Sequence, residues 1–163
     1  MDLATLVIAC APLIAPDTAQ ALIAVESGGN PFAIGVIGAS LQRQPRNAAE
    51  AEATAQALDA AGWNYDLGIA QINKKNLGRY GLNLHTAFEP CRNVKAMQSI
   101  LGDCYGRAFK QSPEQRALRQ AFSCYQSGNF QTGFQTRYVA KVVAAWRHTV
   151  PSPQQTKEVT RSK

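Results

Sequence analysis

A helix that ends on a carboxylate constrains the fold of this chain more than any other feature. Asp17 can cap this helix, and Gln20 can close a capping box with it. The Gly-Gly-Asn-Pro run at 28–31 can end the helix, which therefore spans about 18–27. One face of it, at the spacing i, i+3, i+4 and i+7, carries Ala19, Leu22, Ile23 and Glu26. The carboxylate therefore shares the stripe that we expect to be buried.

Glu26 in this position has the properties of a general acid. Loss of solvent raises the pKa of a carboxyl group, and the negative end of the helix dipole raises it further. The group can then stay protonated near neutral pH and donate that proton. The alternative interpretation is an ordinary hydrogen-bonded glutamate at a helix end. Other motifs in the sequence are needed to distinguish a catalytic from a structural Glu26.

In a second element, at 66–73, apolar residues alternate with Asp66, Gly68, Gln71 and Asn73. The period of two predicts a strand that passes into a turn, with Gln71 and Asn73 on the same face as Leu67 and Ile69. A glycine within such a segment allows another part of the chain to approach the backbone closely. Amide side chains on the wall of a cleft suit a sugar ligand.

A third element is the apolar helix end at 121–127, which carries Tyr125 and is followed by Gly128 and Asn129. The Gly-Asn pair predicts the end of the helix. The hydroxyl group of Tyr125 can hold a carboxyl group in place, whereas the alternative is an aromatic core residue.

Together these elements resemble the lysozyme-like lytic transglycosylases, and most closely the VirB1-type enzymes that accompany conjugation and type IV secretion systems. The resemblance runs from about residue 10 to 138 and is carried by Glu26-Ser27, by the Gly-Ile-Ala-Gln motif at 68–71, and by Tyr125. It implies an α+β, mainly α, lysozyme-like fold with a small β element and an inserted helix. Gln126 departs from the family pattern, which has Asn after the Tyr, and Asn129 can take over its sugar contact.

The resemblance also implies the chemistry. Glu26 protonates the leaving oxygen of the β-1,4 bond between N-acetylmuramic acid and N-acetylglucosamine in peptidoglycan. It then acts as base on the C6 hydroxyl, which gives a 1,6-anhydromuramic product. Substrate or acid is positioned by Ser27, Gln71, Asn73, Tyr125 and Asn129.

Asp66 leaves a second enzyme class open. The segment that it opens also resembles the lysozyme strand that carries a second carboxylate, so Asp66 can be catalytic in a water-using muramidase. An ordinary turn residue is the structural alternative for Asp66. A different class also remains open, a wall-binding assembly factor whose site is catalytically idle.

Four cysteines indicate an oxidising compartment, and they allow two disulfides in one of three connectivities. The resemblance suggests Cys10 with Cys91, which leaves Cys104 with Cys124. No Cys-x-x-Cys occurs and the histidines have no ligand spacing, so we expect no metal and no cofactor. We expect a periplasmic protein. The apolar start at 3–11 lacks the positive residues of a signal peptide, so the export route of the protein is not evident from this segment.

The length of 163 residues predicts one domain, at 1–148, followed by a disordered polar tail at 149–163. The inserted helix runs from an Asn47 cap to about residue 61 and can line or cover the cleft. A net charge of +6, dispersed over the chain, suits an anionic cell wall, and no pattern indicates nucleic-acid binding. No apolar run is long enough to span a membrane. The expected partners are peptidoglycan strands and components of a type IV secretion or conjugation machinery.

Overall fold

A computed structural model describes residues 1–149 of the chain. The helices are α1 Leu3–Cys10, α2 Pro16–Ser27, α3 Ala48–Ala60, α4 Lys74–Leu77, α5 Pro90–Phe109, α6 Glu114–Ser127, α7 Thr132–Gln135 and α8 Tyr138–Thr149. The strands are β1 Ile34–Val36, β2 Tyr65–Leu67 and β3 Ile72–Asn73, and two short 3₁₀ helices span Gly78–Tyr80 and Thr86–Phe88. Apart from Thr149, the predicted tail at 149–163 lies outside the described residues.

The predicted α+β, mainly helical class is confirmed. The strands form one antiparallel sheet in the order β1-β2-β3, with Gly35 opposite Asp66 and Asp66 opposite Asn73. Helices α5 and α6 pack against each other, and α8 packs along α2. Helices α7 and α8 are separated by Thr136 and Arg137, and Arg137 lies in the left-handed region.

Helix α2 buries the predicted stripe but begins differently from the prediction. Ala19, Leu22 and Ile23 are fully buried. The helix starts at Pro16, and its N-cap residue makes no side-chain hydrogen bond, so the predicted Asp17 cap and its capping box are wrong. Proline suits the first helical position because its φ is already helical and its missing N–H would have no partner there. The Asp17 carboxylate instead accepts a hydrogen bond from Nε1 of Trp146 in α8.

The segment at 66–73 is a hairpin rather than one strand with a regular alternation. Residues 68–71 form the turn between β2 and β3, with Gly68 at φ 82° and Gln71 at φ 53°. The predicted face that joins Gln71 and Asn73 to Leu67 and Ile69 is therefore wrong, because the turn interrupts the period of two. Leu67 and Ile69 are buried in the core. Gly68 does permit a close approach, as predicted, because a Cβ there would lie 2.4 Å from the carbonyl oxygen of Ala87.

Two disulfides cross-link the helices in the suggested pairing. Cys10–Cys91 joins α1 to the start of α5, and Cys104–Cys124 joins α5 to α6. The second bridge fixes the two helices that carry one wall of the main cleft, which Glu26 and Asp66 also line.

The inserted helix α3 lies between β1 and β2 in the chain, and its predicted cap is confirmed because the Asn47 side chain accepts a hydrogen bond from the Glu50 N–H. None of the residues that line the main cleft comes from α3, so the expectation that this helix lines the cleft is wrong. Across residues 1–149 we found no helix with the length and apolar character needed to cross a bilayer.

Candidate active site

A cleft of about 720 Å³ runs between one face of the sheet and helices α5, α6 and α8. Five of the predicted site residues line it, namely Glu26, Asp66, Gln71, Asn73 and Tyr125. They come from the end of α2, the hairpin and α6, which are far apart in the chain. The fold therefore gathers in one cleft the three sequence elements that were singled out separately.

Glu26 lies in the last turn of α2 with its side chain partly buried. Burial raises the pKa of its carboxyl group from 4.5 to about 7, as the sequence predicted in direction. A hydrogen bond from Tyr138 works against this rise, and the charge on Asp66 adds to it. A carboxyl group with this pKa holds a proton at neutral pH and can also lose it there, which is what an acid that later acts as a base requires.

Tyr138 is the residue that holds the acid, and it was not among the residues predicted from the sequence. Its hydroxyl group donates a hydrogen bond to Oε1 of Glu26. Tyr125, which was expected to hold a carboxyl group, donates instead to the backbone carbonyl of Ala70 at 2.6 Å, so that expectation is wrong. Tyr138 opens α8, 112 positions after Glu26, and no local pattern connects residues so far apart.

The tyrosine at 125 belongs to a set of side chains that clamp the hairpin turn. Each of four successive backbone carbonyls, from residue 67 to 70, accepts a hydrogen bond from a different side chain. The donors, in that order, are Asn93, Gln71, Ser27 and Tyr125. The turn that positions the cleft wall is therefore fixed by α2, α5 and α6 together.

Asn93, a second residue that was not predicted as a site component, organises this clamp. It is fully buried in α5. Its Nδ2 donates to the carbonyls of Leu67 and Ala87, and its Oδ1 accepts from the Ala70 N–H at 2.8 Å. Its amide group thus uses three of its four hydrogen-bonding positions. The only sequence signal for Asn93 was the run Pro90-Cys91-Arg92-Asn93, which also resembles the family pattern.

Asp66 faces the same cleft from β2. Its Oδ1 accepts a hydrogen bond from Nδ2 of Asn73 at 2.8 Å, and the same Nδ2 also contacts Oδ1 of Asn64 at 2.9 Å. Burial raises the pKa of Asp66, and the hydrogen bond from Asn73 and the charge of Lys75 offset this rise only in part. The second carboxylate is thus held by an amide group, whereas a tyrosine hydroxyl holds the first.

Gln71 fills the space beside the first strand. Its Nε2 donates to the carbonyls of Ala33 and Gly68, and a Cβ at Gly35 would lie 2.7 Å from its Oε1. Glycine at position 35 therefore leaves room for this amide on the cleft wall.

Two predicted residues lie elsewhere. The Ser27 hydroxyl donates to the Ile69 carbonyl at 2.6 Å and is not part of the cleft lining, so the structure gives it a positioning contact. The Asn129 side chain accepts hydrogen bonds from the N–H groups of Gln131 and Thr132, and it too is outside the lining. Gln126, the departure from the family pattern, does line the cleft.

Comparisons with known proteins identify relatives of the chain. The family model described as the transglycosylase SLT domain matches residues 6–145. The chain is 54% identical over 143 residues to the type IV secretion system protein virB1 of Brucella abortus and of Brucella suis, which covers 83% of this chain and 60% of each relative. It is 36% identical over 146 residues to protein virB1 of Agrobacterium fabrum, covering 87% of this chain and 58% of that protein. The chain therefore spans about three-fifths of the length of these relatives. No solved structure gives a significant match.

Proposed function

The chain belongs to the transglycosylase SLT family, and on that premise we propose that it is a peptidoglycan lytic transglycosylase. It cleaves the β-1,4 bond between N-acetylmuramic acid and N-acetylglucosamine and leaves a 1,6-anhydromuramic end. The observation that carries this proposal is Glu26, a carboxyl group with a pKa of about 7 that lines a cleft together with amide side chains.

The first step is a proton transfer from Glu26 to the glycosidic oxygen. The bond from C1 of the muramic acid to that oxygen breaks, and N-acetylglucosamine leaves as an alcohol. Positive charge develops at C1, as in other glycosidases. The substrate's own N-acetyl group assists at C1, as the family resemblance implies.

The second step returns a proton to Glu26. Its carboxylate removes the proton from the C6 hydroxyl of the muramic acid, and O6 forms the new bond to C1. The Tyr138 hydroxyl stabilises the carboxylate between the two steps through its hydrogen bond. No water is consumed. One carboxylate suffices because the substrate's own N-acetyl group assists at C1.

Asp66 supports a second candidate, a hydrolytic muramidase, because it lies in the same cleft and interacts electrostatically with Glu26. In that enzyme Asp66 would stabilise the positive centre or attack it, and water would leave a reducing end. Gln71, Asn73 and Tyr125 hold the cleft wall in either case. A catalytically idle wall-binding factor would bind the glycan without cleaving it.

A dye-release assay on purified peptidoglycan sacculi separates enzyme from binding factor. The native protein should release soluble fragments, and Glu26→Gln, which keeps the side-chain shape, should reduce the rate by at least about a hundredfold. Equal release by the two proteins would exclude Glu26 as the acid. Sedimentation of both proteins with sacculi is the control for binding.

We further propose that the protein works in the periplasm, where it opens the wall locally for a type IV secretion or conjugation apparatus. The names of the virB1 relatives and the two disulfides support this role. Expression in a Brucella strain that lacks virB1 tests it. The native protein should restore secretion and Glu26→Gln should not, whereas no restoration by the native protein would argue against the role.

A further inference from the structure

We propose that Arg107 and Lys141 form a carboxylate-binding site in the cleft, which recognises the acidic substituents of muramic acid. The proposal rests on the proposed function, because it names the part of the peptidoglycan strand that the same cleft selects. A neutral sugar chain would lack this interaction.

Four basic side chains within residues 1–149 line the cleft, and two of them interact with carboxylates. Arg79 forms an ion pair with Asp103 at 3.1 Å, and both residues belong to the lining. The charge of Lys75 favours the ionised form of Asp66 and partly offsets the rise in pKa that burial causes. Arg107 and Lys141 are the remaining two cations of the lining.

Arg107 is held in place without being neutralised. Its Nη2 lies 3.2 Å from Sγ of Cys124 and 3.8 Å from Sγ of Cys104, and its guanidinium carbon lies 5.9 Å from the ring centre of Phe130. Within residues 1–149 it has no carboxylate partner inside 4.0 Å. A disulfide and an aromatic ring orient the planar group but leave its charge available, which suits binding of a carboxylate.

Lys141 lies on the helix whose Tyr138 contacts the acid. It follows Tyr138 by three positions in α8, so the two side chains share a helix face, and both line the cleft. Lys141 is exposed and forms no ion pair with any residue of the described part of the chain. A cation at this position can contact a substituent of the muramic acid that is bound beside Glu26.

The chemistry of peptidoglycan supplies the matching anion. N-acetylglucosamine carries no charge, whereas muramic acid bears a lactyl group that ends either in its own carboxylate or in a stem peptide with free carboxylates. Either source presents a carboxylate about one sugar ring away from the bond that is cleaved. The recognised chemistry is therefore a muramyl-linked carboxylate.

Three forms of glycan strand separate the sources. Peptide-bearing strands carry stem carboxylates, strands treated with an amidase carry lactyl carboxylates, and peptide-bearing strands treated with carbodiimide and methylamine carry neutral amides. For the native protein, kcat/KM should be several-fold lower on the neutral strands than on at least one acidic form. Which acidic form is preferred identifies the source.

The variants Arg107→Gln and Lys141→Gln should each lose on the order of threefold in kcat/KM on the preferred acidic strands, as expected for an exposed charge pair. On the neutral strands they should match the native protein. Arg107→Lys and Lys141→Arg keep the charge and should retain part of the preference, which checks against misfolding. Arg116→Gln removes the same charge from an exposed residue outside the cleft lining and is the matched control.

Equal rates of the native protein on all three strands would overturn the inference while leaving the transglycosylase proposal intact. Equal losses by the two Gln variants on acidic and neutral strands would also overturn it, because the cations would then act only on the fold. Absence of cleavage on every strand would refute the proposed function itself, and the inference with it.

Discussion

Replacing Glu26 by Gln should make the protein more stable at neutral and alkaline pH. The carboxyl group is protonated more tightly in the folded chain, with a pKa of about 7, than in an unfolded chain, where its ordinary value is 4.5. Below pH 4.5 the group is protonated in both states, and its ionisation costs no stability. As the pH rises towards 7, only the unfolded state releases the proton, so the native protein loses stability over that window.

The size of the effect follows from the two pKa values. Each unit of difference corresponds to about 1.36 kcal/mol, so the full cost above pH 7 is about 3 kcal/mol, and solvent access to the partly buried group reduces it. The amide of the Glu26→Gln variant cannot ionise and escapes this cost. We therefore compare the free energy of unfolding of this variant with that of the native protein at each pH. The variant's value minus the native value should increase by up to about 3 kcal/mol between about pH 4.5 and 8.

Urea unfolding under non-reducing conditions, followed by circular dichroism at several pH values, measures this difference. Glu114→Gln is the matched control, because it makes the same substitution at an exposed position. The control should show no such increase. If the difference for Glu26→Gln stayed constant or shrank as the pH rose, the carboxyl group would not be a buried acid and the reasoning would be refuted.

Two further changes follow from the contacts of the site. Tyr138→Phe removes a hydrogen bond worth about 1.5 kcal/mol to the ionised acid, so the alkaline limb of the kcat/KM profile should move up by about one pH unit. Tyr125→Phe is the control and should leave the alkaline limb of the profile unchanged. An alkaline limb that stays unchanged in Tyr138→Phe as well would argue against the contact between Tyr138 and Glu26. Gly68→Ala should lower the free energy of unfolding by more than about 2 kcal/mol, because the new Cβ would clash with the backbone carbonyl of Ala87. Gly81→Ala is the matched control, since Gly81 also has a positive φ but lies in open space, and it should lower the free energy of unfolding by about 1 kcal/mol. Equal losses in a urea titration would contradict the close approach.

Local patterns were enough to predict the elements that carry the site. The buried stripe of α2 placed Glu26 correctly because helical spacing alone decides which residues share a face. Gly68 signalled a close approach because the segment around it is otherwise apolar. The disulfide pairing came from the family resemblance, since four cysteines alone leave three possibilities.

Other features depend on contacts that no local pattern encodes. The Asp17 cap was wrong because the helix begins at Pro16, two positions earlier than predicted, which places Asp17 inside the first turn. The alternation at 66–73 failed because Gln71 adopts a left-handed conformation, which few side chains favour, to close a hairpin turn. Tyr138 reaches Glu26 only because α8 packs along α2, a tertiary arrangement with no signature in either segment.

Mass spectrometry of the fragments from purified peptidoglycan tests the central claim most directly. Digests by the native protein, Glu26→Gln and Asp66→Asn would be compared at equal protein concentration. We predict 1,6-anhydromuramic ends from the native protein, their loss in Glu26→Gln, and their persistence in Asp66→Asn. Reducing ends that disappear with either substitution would contradict the one-carboxylate mechanism and identify a hydrolase that uses Asp66.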